Sequence, residues 1–119
     1  MTGKEKKIEF IGYDYTNPEE CLKRIKCCIS SPYELQYMTN QTEEICLIAC
    51  EREGDALQYV HNQTEKICLT AIHDDPYALQ YVKEQTEKIC LAAIEQDQTV
   101  LEFVDDKFLY LFDNWKWDF

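Results

Sequence analysis

A 22-residue repeat dominates this sequence. Leu35, Leu57, Leu79 and Leu101 lie 22 residues apart, and most of their neighbours recur with them. The copy that begins at Leu57 reads LQYVHNQTEKICLTAI, the next reads LQYVKEQTEKICLAAI, and the one before reads LQYMTNQTEEICLIAC. A fixed period of this length is typical of stacked supersecondary units, because each unit is too small to bury its own apolar side chains. The repeat therefore favours a binding function over catalysis.

The apolar spacing inside a copy is that of a helix. Ile67, Cys68, Ala71 and Ile72 fall at i, i+1, i+4 and i+5, which places their side chains in one broad stripe. This spacing predicts a longer helix through QTEKICL and its equivalents.

Polar residues, glycine and proline mark the predicted helix boundaries. Either Asn62 or Thr64 caps the longer helix, and Asn62 and Glu65 have the spacing of a capping box. Gly54 suits a C-terminal cap of the preceding longer helix. A shorter helix, for example from Pro76 to Val82, is expected next because proline is well tolerated in a first helical turn.

Together these features predict an all-α fold in which short helical hairpins stack as an α-solenoid. We expect residues 1–119 to form a single helical-repeat domain. It comprises an N-terminal cap or degenerate repeat (1–34), the repeats (35–104) and an aromatic C-terminal cap (105–119). The two ends are expected to diverge from the repeat, because one side of each end faces water.

The acidic composition argues against direct binding of nucleic acid. The chain has 12 Lys and Arg against 23 Asp and Glu, a formal net charge of −11, whereas affinity for nucleic acid comes largely from Lys and Arg. Plain solubility or a basic patch on a protein partner explains the charge. An alternative function is that of an acidic mimic of nucleic acid, which would block a nucleic-acid-binding protein.

The seven cysteines are expected to be structural. Cys46, Cys68 and Cys90 share one repeat position, between Ile and Leu, as expected of small buried hydrophobic residues. No paired C-x2-C motif is present, so we expect no metal and no cofactor. The odd count, with no export signal or apolar span, predicts a cytoplasmic protein that neither enters nor crosses a membrane.

The sequence also lacks the usual catalytic motifs. His61 and His73 are replaced by Lys83 and Glu95 in the next copy, which predicts exposed positions. There is no H-E-x-x-H, G-x-S-x-G or glycine-rich phosphate loop. We therefore predict that the protein is not an enzyme, with a cysteine-dependent activity as the alternative.

Tyr37, Tyr59 and Tyr81 occupy one repeat position and allow two interpretations. The rings could fill the groove between helices, since aromatic side chains contribute much to core burial. They could instead form an aromatic ladder whose tyrosines anchor a partner. Nearby positions that vary between copies, occupied by His61 and Lys83, would then tune specificity on a constant scaffold.

The aromatic C-terminus has two interpretations as well. Trp115, Trp117 and Phe119 alternate with polar residues, which favours an extended tail. It either caps the exposed core of the last repeat or forms a docking patch, for which homo-oligomerisation is one use.

The phrase NQTEEICL (Asn40–Leu47), with LQYV and QTEKICL in the later copies, resembles the repeats of domain-of-unknown-function family 4116. That family is common in giant viruses of amoebae such as the mimivirus group. The likeness covers Leu35 to Val104 and implies a viral, intracellular helical-repeat protein with no assigned activity. We therefore predict a non-catalytic protein–protein interaction module that binds a host or viral protein.

Overall fold

A computed structural model describes residues 14–27 and 30–111, and all regular structure in these two stretches is helical. The α-helices are α1 (Pro18–Lys26), α2 (Glu43–Arg52), α3 (Glu65–Asp74) and α4 (Glu87–Gln96). The 3₁₀ helices are η1 (Pro32–Tyr37), η2 (Gly54–Tyr59), η3 (Pro76–Tyr81), η4 (Gln98–Phe103) and η5 (Asp106–Phe108). The prediction of an all-α fold is confirmed over these residues.

A threonine caps each α-helix that follows a Gln-Thr-Glu motif. The Thr64 hydroxyl accepts a hydrogen bond from the backbone N–H of Ile67 at 3.2 Å, and this satisfies one of the unpaired donors of the first turn. Equivalent bonds are made by Thr42 and Thr86. The predicted capping box from Asn62 to Glu65 is wrong, because the cap is two residues later than Asn62.

The shorter helix of each copy is a 3₁₀ helix that ends one residue earlier than predicted. In η3 the Asp75 carboxylate accepts from the backbone N–H of Tyr77 at 3.0 Å, and Val82 N–H donates to the Leu79 carbonyl at 3.1 Å. This i to i+3 pattern suits short helical segments. Leu79 and Val82 are buried, as their spacing predicted.

Gly54 does not cap a helix in the left-handed conformation. It begins η2, directly after Glu53, which is the residue that follows the last residue of α2. A Cβ at this position would lie 2.4 Å from the backbone oxygen of Ala71 and 3.0 Å from Asp75 Cβ. Glycine is needed here because another stretch of backbone comes too close for a side chain.

The helices pack in two layers around one core. Each α-helix contacts the next α-helix along the chain, and each of η1 to η3 contacts the next 3₁₀ helix. The two layers bury residues such as Leu57, Ile67 and Ile72, which are at most 1% exposed. Full burial of one such side chain contributes about 1.5–3 kcal/mol before the entropy cost is counted. Cys46, Cys68 and Cys90 are buried as predicted.

Candidate partner-binding surface

The predicted tyrosine row lies at the ends of the 3₁₀ helices. Tyr37, Tyr59, Tyr81 and Phe103 are the last residues of η1 to η4. Tyr37 is 58% exposed, and its ring centroid lies 5.8 Å from that of Tyr15. The other three rings are partly buried against the core. The row is therefore at the surface while most of it also supports the core.

The rings of this row do not stack on each other in a ladder. Tyr59 packs against Tyr33 of the preceding 3₁₀ helix, with centroids 6.1 Å apart and planes at 73°. Phe103 packs against Tyr77 in the same way, at 5.9 Å and 73°. Such edge-to-face pairs are favourable aromatic geometries. They fix the orientation of the rings before any partner binds.

A second row of side chains, which the sequence analysis missed, forms hydrogen bonds between neighbouring 3₁₀ helices. The Tyr33 hydroxyl donates to Asp55 Oδ1 at 2.8 Å, and this hydrogen bond raises the pKa of Tyr33 to about 12. Two repeats later, the hydroxyls of Tyr77 and Thr99 are hydrogen-bonded. The residue type at this position changes from each copy to the next, so a comparison of identical residues between copies does not detect this row. The detectable signal is the 22-residue spacing of groups that complement each other.

The four 3₁₀ helices η1 to η4, called the 3₁₀ layer below, carry acidic groups and no basic ones. The sequences of η1 to η4 (PYELQY, GDALQY, PYALQY and QTVLEF) contain no Lys, Arg or His. Their acidic residues, together with those that precede the helices, are Glu34, Glu53, Asp55, Asp75, Asp97 and Glu102. The Lys and Arg residues of the described stretches lie in the α-helices, in the loops and, for Lys107, in η5. This layer therefore favours cationic groups.

His61 and Lys83 lie in consecutive loops between a 3₁₀ helix and an α-helix, and both are exposed. Each borders a groove, of about 220 Å³ at His61 and about 440 Å³ at Lys83. Their backbone N–H groups donate to the Oε1 atoms of Gln41 and Gln63, at 2.9 Å in both cases. The backbone is thus held in place while the side chain is free to differ between copies.

The glutamine of each Gln-Thr-Glu motif forms a bracket between consecutive loops. Gln63 Nε2 donates to the carbonyl oxygens of Leu57 at 3.3 Å and Tyr81 at 2.9 Å. Its Oε1 accepts from Lys83 N–H and from the Cys68 thiol, the latter at 3.8 Å. The equivalent bonds to the next loop are made by Gln41 and Gln85. The sequence analysis missed this role, for which the signal was an unchanged glutamine beside varied neighbours.

Burial makes most of the cysteines poor nucleophiles. It raises the pKa of Cys46, Cys68 and Cys90 to about 11 and that of Cys50 to about 12. A thiol must ionise to attack a substrate, and these four are protonated at neutral pH. All six cysteines in the described stretches are free, and no group of His, Cys, Asp and Glu there could hold a metal ion.

Another groove, of about 680 Å³, lies over α3. Its lining includes Glu51, Lys66, His73 and Lys88, so charges of both signs alternate and do not converge on one ligand type. His73 is exposed, as predicted from its variation between copies. This groove resembles a solvated helix surface.

Trp115, Trp117 and Phe119 lie outside the described residues, so their roles as a cap or a self-association patch stay predictions.

Within the described residues, no helix is long and apolar enough to cross a membrane.

Comparison with known proteins identifies no relative: no protein-family model matches the chain, and neither a curated protein nor a solved structure matches it.

Proposed function

We propose that the chain is an α-solenoid of short helical repeats that acts as a non-catalytic protein–protein interaction module. Support for equivalent stacked units comes from α2, α3 and α4, which begin at Glu43, Glu65 and Glu87 and carry the same threonine caps. The glutamine bracket recurs between their loops. Such an assembly presents a rigid surface on which exposed side chains repeat at regular intervals.

The proposed partner surface is the 3₁₀ layer, and the observation that carries this proposal is the exposure of Tyr37. An aromatic ring that is 58% exposed is a good anchor, because tyrosine offers a large contact area at low entropic cost. The exposed residues Gln36, Gln58 and Gln80 lie on the same helices, where each amide donates to the carbonyl three residues earlier. A partner therefore meets a preorganised surface.

The proposed viral origin rests on the resemblance of NQTEEICL to the repeats of giant amoebal viruses. It makes a host or viral protein in the cytoplasm the expected partner. Acid-rich sequence and the absence of a basic residue from η1 to η4 support a protein partner over direct binding of nucleic acid.

A site-specific crosslinker tests the proposed surface. A photoreactive phenylalanine replaces Tyr37 in one variant and Glu95, an exposed residue of α4, in a second variant. We expect a protein adduct from the Tyr37 position that the Glu95 position does not give, after illumination in cells that contain the natural partner.

The captured protein is then purified and its affinity measured against Tyr37→Ala. We expect roughly tenfold weaker binding with an unchanged melting temperature, because Tyr37 is largely outside the core. Identical adducts from both positions, or undiminished affinity of the Tyr37→Ala variant, would contradict the proposed surface.

A further inference from the structure

Electrostatic asymmetry between the two layers indicates which kind of segment the 3₁₀ layer accepts. The α-layer mixes both signs, for example Glu65 with Lys66 and Glu87 with Lys88. The 3₁₀ layer contributes carboxylates alone. A basic segment is therefore attracted to one layer and repelled by parts of the other.

Most of these carboxylates form no ion pair with the basic residues that the structure describes. Glu34 is paired with Arg24 of α1, through contacts of 2.6 Å and 2.8 Å. Within residues 14–27 and 30–111, none of the other five acidic side chains of the layer forms an ion pair. Asp55 accepts the Tyr33 hydroxyl, which orients the carboxylate and leaves its charge in place.

Aromatic rings lie beside these carboxylates. Asp55 is hydrogen-bonded to Tyr33, which packs edge-to-face on Tyr59. Tyr37, at the end of η1, and Tyr77, at the start of η3, are 58% and 38% exposed. A guanidinium group can stack on a ring and bind a carboxylate in the same pose, because it is planar, weakly hydrated and always charged. An ammonium group satisfies this combination less well.

The arrangement also selects the shape of the ligand. The helices η1, η2, η3 and η4 pack side by side in chain order, so the acidic and aromatic groups recur across the layer. A single bound side chain would reach one of them. An extended segment crosses several helices and gains from each.

We propose that an extended, arginine-containing segment of a partner protein docks across the 3₁₀ layer, with its guanidinium groups against Tyr37 and the Tyr33–Tyr59 pair and beside the Asp55 carboxylate. This inference rests on the proposed function and adds the chemical class of the partner.

Three labelled peptides of alternating glycine and a second residue test the inference by fluorescence anisotropy at physiological ionic strength. The second residue is arginine, lysine or citrulline, which is the neutral isostere of arginine. We expect the arginine peptide to bind, the lysine peptide to bind several-fold more weakly, and the citrulline peptide to bind at least about tenfold more weakly.

Variants of the protein separate stacking from simple charge attraction. Tyr37→Ala and Asp55→Asn should each weaken the binding of the arginine peptide roughly fivefold. Asp55→Asn keeps a hydrogen-bond acceptor for the Tyr33 hydroxyl. Glu95→Gln, which removes an exposed charge from α4, should leave the affinity unchanged.

Other outcomes overturn the inference in distinguishable ways. Equal affinity for arginine and lysine, with equal losses from Asp55→Asn and Glu95→Gln and none from Tyr37→Ala, would show an undirected acidic surface, as in a mimic of nucleic acid. Absence of binding to the arginine peptide would also overturn it. A Tyr37 adduct with a protein that has no arginine-rich segment would preserve the proposed function and remove this inference alone.

Discussion

Two sets of contacts join neighbouring helix pairs, and they are built in opposite ways. Between loops, Gln41, Gln63 and Gln85 make the same hydrogen bonds each time. At the ends of the α-helices, the corresponding side chain is Arg52, Asp74 or Gln96, and its bonds differ each time. The first is a constant bracket, whereas the second is a variable junction.

The hydrogen bond made at each variable junction depends on the first residue of the 3₁₀ helix that follows the preceding α-helix. Arg52 and Gln96 donate to helix-end carbonyl groups, those of Ile25 at 3.1 Å and Ile72 at 3.0 Å. Asp74 cannot donate, and it accepts the N–H of Gly54 at 2.7 Å instead.

That N–H exists because this junction has glycine where the other two have Pro32 and Pro76, and proline has no N–H. Each side chain therefore matches the backbone that it meets. The comparison teaches that the repeated copies are not interchangeable, even though their glutamines bind the next loop in the same way.

The largest expected effect is at the variable junction. Gly54→Ala places a Cβ 2.4 Å from the Ala71 carbonyl oxygen, and we expect a loss of about 3 kcal/mol in the free energy of unfolding. Pro76→Ala, at the equivalent position one copy later, already has room for a Cβ and should lose less than about 1 kcal/mol. Urea denaturation measures both, and equal losses would refute the close approach at Gly54.

A glutamine substitution tests the constant bracket. Gln63→Glu keeps the size of the side chain but cannot donate to the carbonyls of Leu57 and Tyr81. We expect a loss of about 2 kcal/mol in unfolding free energy, because two acceptors lose their donor. The matched control is Gln58→Glu, whose exposed side chain bonds only the Asp55 carbonyl and which should cost less than about 1 kcal/mol. If the two variants are equally stable, the bracket is not what joins the loops.

Alkaline pH probes the burial of the cysteines that donate to the bracket glutamines. Burial raises the pKa of Cys68 from 9.0 to about 11 in the folded protein, so the folded state holds the proton more tightly than the unfolded state does. Stability is then undiminished below pH 9 and is lost as the pH rises from 9 towards 11, by about 1.4 kcal/mol per pH unit for each such thiol. Denaturation at a series of pH values measures this slope. Cys68→Ala should make the loss of stability with pH shallower. An unchanged slope would mean that the Cys68 thiol is not among the groups that titrate in this range.

The smallest expected effect is an energetic coupling between residues 76 and 96, at the variable junction formed by Gln96. Pro76→Gly restores an N–H, and Gln96→Asp supplies an acceptor, which together reproduce the Gly54–Asp74 arrangement. The double variant should be about 1 kcal/mol more stable than the sum of the two single losses predicts. Purely additive losses in the double-mutant cycle would mean that the two positions act independently.

Much of the helical architecture was predictable because it depends on local spacing. The stripe of Ile67, Cys68, Ala71 and Ile72 placed α3 correctly and identified its buried side. The cap was narrowed to Asn62 or Thr64, and the structure selects Thr64 since its hydroxyl reaches Ile67 N–H. Gly54 was misassigned because a glycine required for close packing looks the same in sequence as one required for a left-handed turn.

The candidate surface was predicted only in part. Tyr37, Tyr59 and Tyr81 were found because they share a repeat position, and His61 and Lys83 because they vary. The Tyr33–Asp55 bond was not found, since it joins unlike residues on neighbouring helices. Pairing between unlike groups becomes visible only when the helices are placed side by side.

The sequence by itself determined the helical periodicity, the buried cysteine positions and the acidic charge, because each depends on residue type and spacing along one chain. Only the tertiary structure decided which glutamine joins consecutive loops, which backbone each α-helix end meets, and which tyrosine remains exposed. Those outcomes depend on contacts between residues about 18 to 27 positions apart, and no local pattern encodes the distance between two segments before they pack.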